Sequence, residues 1–178
     1  MKIYFIRHGE TEYNITTRLT GQTDIPLNEK GIEQAHKAAS EIPSDIAEIY
    51  SSDLIRCKQT TDILNKNLRL PVTYDARLRE RDFGSFSGKH WRDIDQNGIL
   101  KAIDKRLEYD YRPQGGESIA DVKKRVFECI DDMRKKRGSI LVVTSAGIIR
   151  LLHHFIHKEL HETIHNSSIH EFEFAELP

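Results

Sequence analysis

The chain has 178 residues, a length that predicts a single domain spanning residues 1–178 with enough apolar surface for one core. Hydrophobic residues make up 38% and charged residues 31%, which excludes a disordered or membrane-spanning chain. A formal net charge of −1 argues against binding nucleic acid or a membrane surface through general electrostatics.

The elements follow from hydrophobic periodicity. Ile3 to Ile6 is a β-branched and aromatic run that stops at Arg7-His8-Gly9, a buried strand entering a loop. Asn28 caps an expected helix through Ala39, with Ile32, Ala35, His36 and Ala39 on one face. Ile46 to Tyr50 is a second strand. Ser51-Ser52 then lead into a helix through about Asn65 whose apolar side carries Leu54, Cys57, Thr61 and Leu64. Pro71 to Tyr74 reads as an edge strand, because proline cannot donate to a ladder. Arg79 to Gly98 is a long irregular loop of the kind that carries function. Residues 98–110 read as a helix.

Gly115-Gly116-Glu117-Ser118 opens the strongest amphipathic helix, with Ile119, Val122, Val126, Cys129, Ile130 and Met133 as its stripe and Gly138 as its end. Its charge runs, Lys123-Lys124-Arg125 and Arg134-Lys135-Lys136-Arg137, are interspersed with Glu128 and Asp131-Asp132 and predict a solvated face. Ile140 to Val143 is the most apolar strand and is expected at the centre of the sheet. Ala146 to Phe155 reads as a helix and Ile169 to Phe174 as a last strand. Alternating strands and helices predict an α/β three-layer α/β/α sandwich around a mostly parallel central sheet. In such sheets, sites gather beyond the carboxyl ends of the strands.

Two cysteines, Cys57 and Cys129, have no metal-like spacing and are expected as free thiols in a reducing, cytoplasmic compartment; Cys57 reads as inert core. The opening apolar run is too short for a secretory leader. His153, His157, His161 and His165 recur every four residues, which on an unbroken helix would make a metal-binding face. A solvated face is the better expectation, with no metal and no cofactor. Trp91 reads equally as a pocket wall or a packing anchor.

The chemistry concentrates in a few loops. Arg7-His8-Gly9-Glu10-Thr11 combines a guanidinium for oxyanions, an imidazole that can act as nucleophile or base, and a glycine that lets backbone approach an anion. Arg56 sits at the start of a helix, where the dipole also favours an anion. Arg79-Glu80-Arg81 places a carboxylate between two arginines.

Together these segments resemble the histidine phosphatase superfamily, the phosphoglycerate mutase-like fold. The likeness runs through Arg7-His8-Gly9-Glu10-Thr11, Asn14, Gly21, Asp24-Ile25-Pro26-Leu27, Gly31, Ser51-Ser52-Asp53-Leu54 with Arg56, Leu78-Arg79-Glu80-Arg81, Gly115-Gly116-Glu117-Ser118 and Val142-Val143-Thr144. It continues through Gly147, Ile149 and Arg150 to Asn166-Ser167-Ser168-Ile169 and so covers nearly the whole chain in order.

The resemblance implies that His8 attacks phosphorus and becomes a phosphohistidine, that Arg7 and Arg56 hold phosphoryl oxygens, and that Glu80 serves as acid and base. It also implies substrate contacts at Asn14, Gly21, Gln22, Thr23, Arg81 and Ala146. The expected substrate is a small phosphorylated metabolite. The oligomeric state stays open, a homodimer included. The family has a second histidine after its apolar strand, where this chain has Ser145 in Val143-Thr144-Ser145-Ala146-Gly147. The implied activity is therefore an impaired phosphatase of a small phosphate monoester. The alternatives are phosphoglycerate mutase-type transfer and a catalytically inactive phosphate-binding relative.

Overall fold

The computed structural model describes residues 1–159 and 163–174. Five strands are present among the described residues: β1 (Lys2–Arg7), β2 (Ile46–Ser51), β3 (Val72–Tyr74), β4 (Ser139–Thr144) and β5 (Ile169–Glu173). They form one sheet in the order β3-β2-β4-β1-β5, with β4 central and β3 at an edge as the sequence predicts. The β3–β2, β2–β4 and β4–β1 pairs are parallel, and β5 runs antiparallel to β1.

Strand alternation divides the interior in two. Ile3 and Phe5 of β1 and Ile140 and Val142 of β4 face one side, with Val122, Val126 and Ile130 of α6 (Ile119–Met133) and Ile148, Ile149 and Leu152 of α7 (Ala146–Leu152). Tyr4, Ile6, Leu141 and Val143 face the other, with Ala38 of α2 (Glu29–Ala38) and Cys57 and Leu64 of α3 (Ile55–Leu68). A strand with helices on both faces has no polar side to spare, which is why β4 is buried from end to end. The result is three layers.

Helix ends follow local chemistry. The Asn28 side chain accepts from Gly31 N at 2.8 Å, and Ser118 and Asp121 cap α6 reciprocally. Several boundaries differ from expectation. The buried face of α2 is Gly31, Ala35 and Ala38, leaving Ile32 and His36 exposed. Helix α6 stops at Met133, and Gly138, at φ +87°, instead turns the chain into β4. The 98–110 helix shortens to α5 (Ile99–Lys105), because Leu107 adopts a left-handed φ of +62°. Short helices α1 (Glu12–Ile15) and α4 (Trp91–Ile94) punctuate the loops. Helix α7 passes into a π-helical turn, His153–His157, and ends at Lys158, also left-handed. No helix among the described residues is long and apolar enough to cross a membrane.

Register places the loops. Arg7 pairs with Thr144 and Ser51 with Val143, so the chain leaves β1, β2 and β4 at one end of the sheet. The loop after β1 is seated on α2 through two glycines. A Cβ at Gly31 would lie 2.1 Å from Glu10 O, and one at Gly9 would lie 2.3 Å from Gly31 O. Both contacts are with backbone, which cannot swing aside.

Gly31→Ala therefore tests this seating by sign. Helix propensity alone favours alanine by up to about 1 kcal/mol. The clash predicts instead a loss of about 1–3 kcal/mol in chemical denaturation; a stabilised variant would show the contact to be compliant.

Candidate functional site

His8 is buried at the end of β1. Its backbone N–H donates to Thr144 O at 2.9 Å, and its backbone carbonyl accepts from Asn166 Nδ2 at 3.0 Å. The ring is oriented from both sides. Nδ1 lies 2.7 Å from Gly9 O, a pure acceptor, so Nδ1 carries the proton. Nε2 then holds a lone pair, and Arg56 Nε donates to it at 3.2 Å. Burial, reinforced by the positive charges of Arg56 and Arg7, holds the His8 pKa well below the ordinary 6.5. The imidazole is neutral at physiological pH.

Arg56 is fully buried in the first turn of α3. Its Nη1 donates to Thr23 O at 2.9 Å and its Nη2 to Gly21 O at 2.8 Å. Its own carbonyl accepts from Thr60 Oγ1, which in turn accepts from Gly9 N at 3.1 Å. Arg7 donates from Nη1 to Ile164 O, but its buried Nε has no partner among the described residues. Burial, opposed by Glu80 and reinforced by Arg150 and Arg56, lowers the Arg7 pKa to about 10, so the group stays charged.

The Glu80 carboxylate is fixed by two backbone donors, Arg81 N at 2.8 Å and Gly147 N at 3.0 Å. A Cβ at Gly147 would lie 2.2 Å from Glu80 Oε1, so any larger residue there would displace the carboxylate from this position. A clamp holds the loop leading to Glu80. Arg125 is paired with Glu117 and donates to the carbonyls of Arg77, Arg79 and Glu80 at 2.6, 2.8 and 3.2 Å. Glu117 also accepts from Asp82 N at 2.9 Å. This corrects the expectation of a solvated charge run: Arg125 is turned inward and its side chain is only 16% exposed.

These groups border a cavity of about 210 Å³ whose lining includes Arg7, His8, Asn14, Gly21, Arg56, Glu80, Arg81 and Ala146. Ser145, Gln22 and Thr23 stand outside that lining. Ser145 is buried with its Oγ 3.5 Å from Arg56 Nη2. Gln22 donates to Glu80 O at 3.2 Å, and Thr23 holds Arg56 through its carbonyl. Asn14 spends its Oδ1 on Thr11 N and Oγ1. Arg81 is committed to protein: it bonds Asp104 at 3.2 Å, Glu117 O at 3.1 Å and Tyr109 O, with its guanidinium 4.5 Å from the Tyr111 ring centroid.

The structure adds lining residues that sequence reasoning left without a role: Arg18, Lys101, Asp104, Lys105 and Arg150. Trp91 also lines the cavity, and Lys101 Nζ lies 5.9 Å from its ring centroid. The i, i+4 pair Lys101/Lys105 was the available signal, but only the path of the preceding loop shows where it points. Cys57 and Cys129 are free buried thiols, with burial pushing Cys57 up to about 11. Of the histidines that recur every four residues, His153 is buried rather than solvated, His157 and His165 are exposed, and His161 lies outside the described residues.

A model of the histidine phosphatase superfamily (branch 1) matches residues 3–176. Over 152 residues the chain is 33% identical to the "probable phosphoglycerate mutase GpmB" of Salmonella choleraesuis (strain SC-B67), covering 83% of this chain and 70% of that relative. A phosphoglycerate mutase from Thermus thermophilus superposes with a TM-score of 0.82 at 27% identity, over 98% of this chain and 94% of that one. A mycobacterial glucosyl-3-phosphoglycerate phosphatase in complex with VO3 superposes with a TM-score of 0.84 at 28% identity, over 96% and 91%.

The lowered His8 pKa makes a signed prediction. Unfolded, the imidazole takes up a proton near pH 6.5; folded, it resists doing so. Stability contributed by the neutral ring is present above about pH 6.5 and is lost as pH falls below it. The denaturation midpoint of wild type should fall between about pH 7 and pH 5 more steeply than that of His8→Asn. Equal slopes would mean that His8 titrates normally.

Proposed function

The chain belongs to the histidine phosphatase superfamily, branch 1, and from that premise we propose that it hydrolyses a small phosphate monoester through a phosphohistidine on His8. One observation carries this reading: a buried neutral imidazole whose Nδ1 is anchored on Gly9 O while its Nε2 lone pair faces the Arg56 guanidinium. Such a nucleophile needs no base to activate it. Once the bound ester displaces Arg56 Nε from it, Nε2 attacks phosphorus, which forms an N–P bond and breaks the ester P–O bond. Glu80 gives a proton to the departing oxygen. Water then attacks the phosphohistidine, Glu80 takes a proton from it, and the N–P bond breaks to release inorganic phosphate and restore His8.

Phosphoryl transfer depends chiefly on positioning and on charge placed against the equatorial oxygens. Arg56 supplies that charge from a fixed position. The unpaired Nε of Arg7 is a buried donor whose missing partner an oxyanion would provide. Ser145 offers only a neutral hydroxyl where the resemblance places an imidazole. Losing one preorganised donor costs about 2.7–4 kcal/mol, or on the order of a hundredfold to a thousandfold in rate. The enzyme we infer is therefore slow.

The cavity lining holds seven cationic residues (Arg7, Arg18, Arg56, Arg81, Lys101, Lys105, Arg150) against two carboxylates, Glu80 and Asp104. That surplus favours a small metabolite that carries a second anionic group besides its phosphate. The mutase names among the relatives support a second reading, in which the phosphoryl group returns to a sugar acid instead of passing to water.

Ser145→His should raise phosphate release from an aryl phosphate by about a hundredfold or more. His8→Ala should abolish both turnover and any acid-labile phosphoenzyme. A folded Ser145→His protein with no gain would overturn the role given to position 145. Interconversion of phosphoglycerates primed by a bisphosphoglycerate, without steady phosphate release, would favour the mutase.

A further inference from the structure

Past α7, three imidazoles form a connected chain. Ser168 Oγ donates to His165 O at 2.7 Å, so towards His170 Nε2, 2.8 Å away, it accepts. The proton of a neutral His170 is thereby on Nε2, and its Nδ1 is an acceptor. Nδ1 lies 2.9 Å from His153 Nε2, which must be the donor. A neutral His153 then presents the lone pair of its Nδ1, and that atom lies 3.2 Å from His157 Nδ1. Each tautomer is dictated by the next partner in line.

We propose that His153 and His157, through their Nδ1 atoms, and Glu159, through its carboxylate, form a binding site for a divalent transition ion of the zinc class. The ligand atoms of the three residues lie within 4.8 Å of one another. The spacing of the two nitrogens matches the edge of a tetrahedron built on Zn–N bonds of about 2.0–2.1 Å, which is ~3.3 Å. The local backbone explains the approach. The π-helical turn spans both histidines, Lys158 turns the chain at φ +61°, and Glu159 N then donates back to His153 O at 3.3 Å.

The surroundings suit a ligand pair. A metal-bound imidazole characteristically donates its other N–H to a fixed acceptor, and His170, held by Ser168, is that acceptor for His153. The His157 ring stacks on Phe172 with centroids 5.1 Å apart, so one side of the pair is apolar. On binding, His157 shifts its proton from Nδ1 to Nε2, and Glu159 offsets part of the ion's charge. The remaining coordination position goes to water. The ion would fix the turn after α7, which meets β5 through the His153–His170 hydrogen bond, apart from the cavity that holds His8.

The test is titration of the chelator-treated chain with Co²⁺, read by the visible spectrum of tetrahedral cobalt, followed by displacement with Zn²⁺. The expected result is one ion per chain with a dissociation constant on the order of 10 µM or tighter. Zn²⁺ should also raise the thermal midpoint. His157→Gln and Glu159→Gln change exposed side chains and should weaken binding by about tenfold or more, with His157→Gln abolishing the thermal shift. His8→Ala should leave binding unchanged. The proposal fails if no tetrahedral spectrum develops, if it survives His157→Gln, or if it disappears in His8→Ala.

Discussion

A buried guanidinium facing a neutral imidazole organises this molecule. Arg56 has lost all contact with water, so its hydrogen bonds must be supplied by protein. Gly21 O and Thr23 O accept from its two terminal nitrogens, leaving Nε for His8. A guanidinium only donates, so the atom facing it must accept, and His8 is held as the Nδ1–H tautomer from this side as well as from Gly9 O. The loop that satisfies Arg56 therefore shapes the site through the backbone carbonyls of Gly21 and Thr23. Thr60 joins the two halves, bonding the Arg56 carbonyl and the Gly9 amide with a single hydroxyl.

Much of this was legible in sequence because it is local. Apolar runs with abrupt polar ends mark β1 and β4, and the fully apolar character of Ile140 to Val143 places it at the centre. Arg7 closes β1, His8 follows it and Arg56 lies in the first turn of α3, all at the end of the sheet where parallel topology gathers loops, and Glu80 comes from the loop beyond β3. What escaped depends on distant register. Arg125 belongs to a run of charges on an amphipathic helix, and nothing within that run distinguishes the one side chain that turns inward to Glu117 and the Glu80 loop. His153 was hidden similarly, since its burial depends on His170 and Phe172 of β5 rather than on its own neighbours. The α2 stripe was misread at Ile32 because Gly31, which offers no hydrophobic signal, is the residue that makes the close contact.

The segment around Ser145 is held by contacts that do not depend on its side chain. Its neighbours on either side make the ties: the Thr144 hydroxyl donates to Leu78 O at 2.7 Å, and the Gly147 backbone N–H donates to Glu80. Both tie the end of β4 to the acid loop, and neither involves the side chain at 145. On the proposed mechanism, the side chain at 145 then bears on the charge at the site rather than on these two ties.

That charge is the last link between fold and function. Arg7 and Arg150 repel one another across the cavity lining, as do Arg7 and Arg56, and burial adds to the strain on Arg7. Placing like charges in a partly desolvated pocket costs free energy unless an anion joins them. Folding supplies the offset through Arg125, Glu117 and the carbonyls around Arg56, which hold the loops in place. In the proposed reaction, a phosphoryl group entering beside His8 meets donors already oriented and relieves their mutual repulsion. On the proposed reading, affinity for a phosphate dianion follows from the framework itself, and the group at position 145 sets how fast the bound ester turns over.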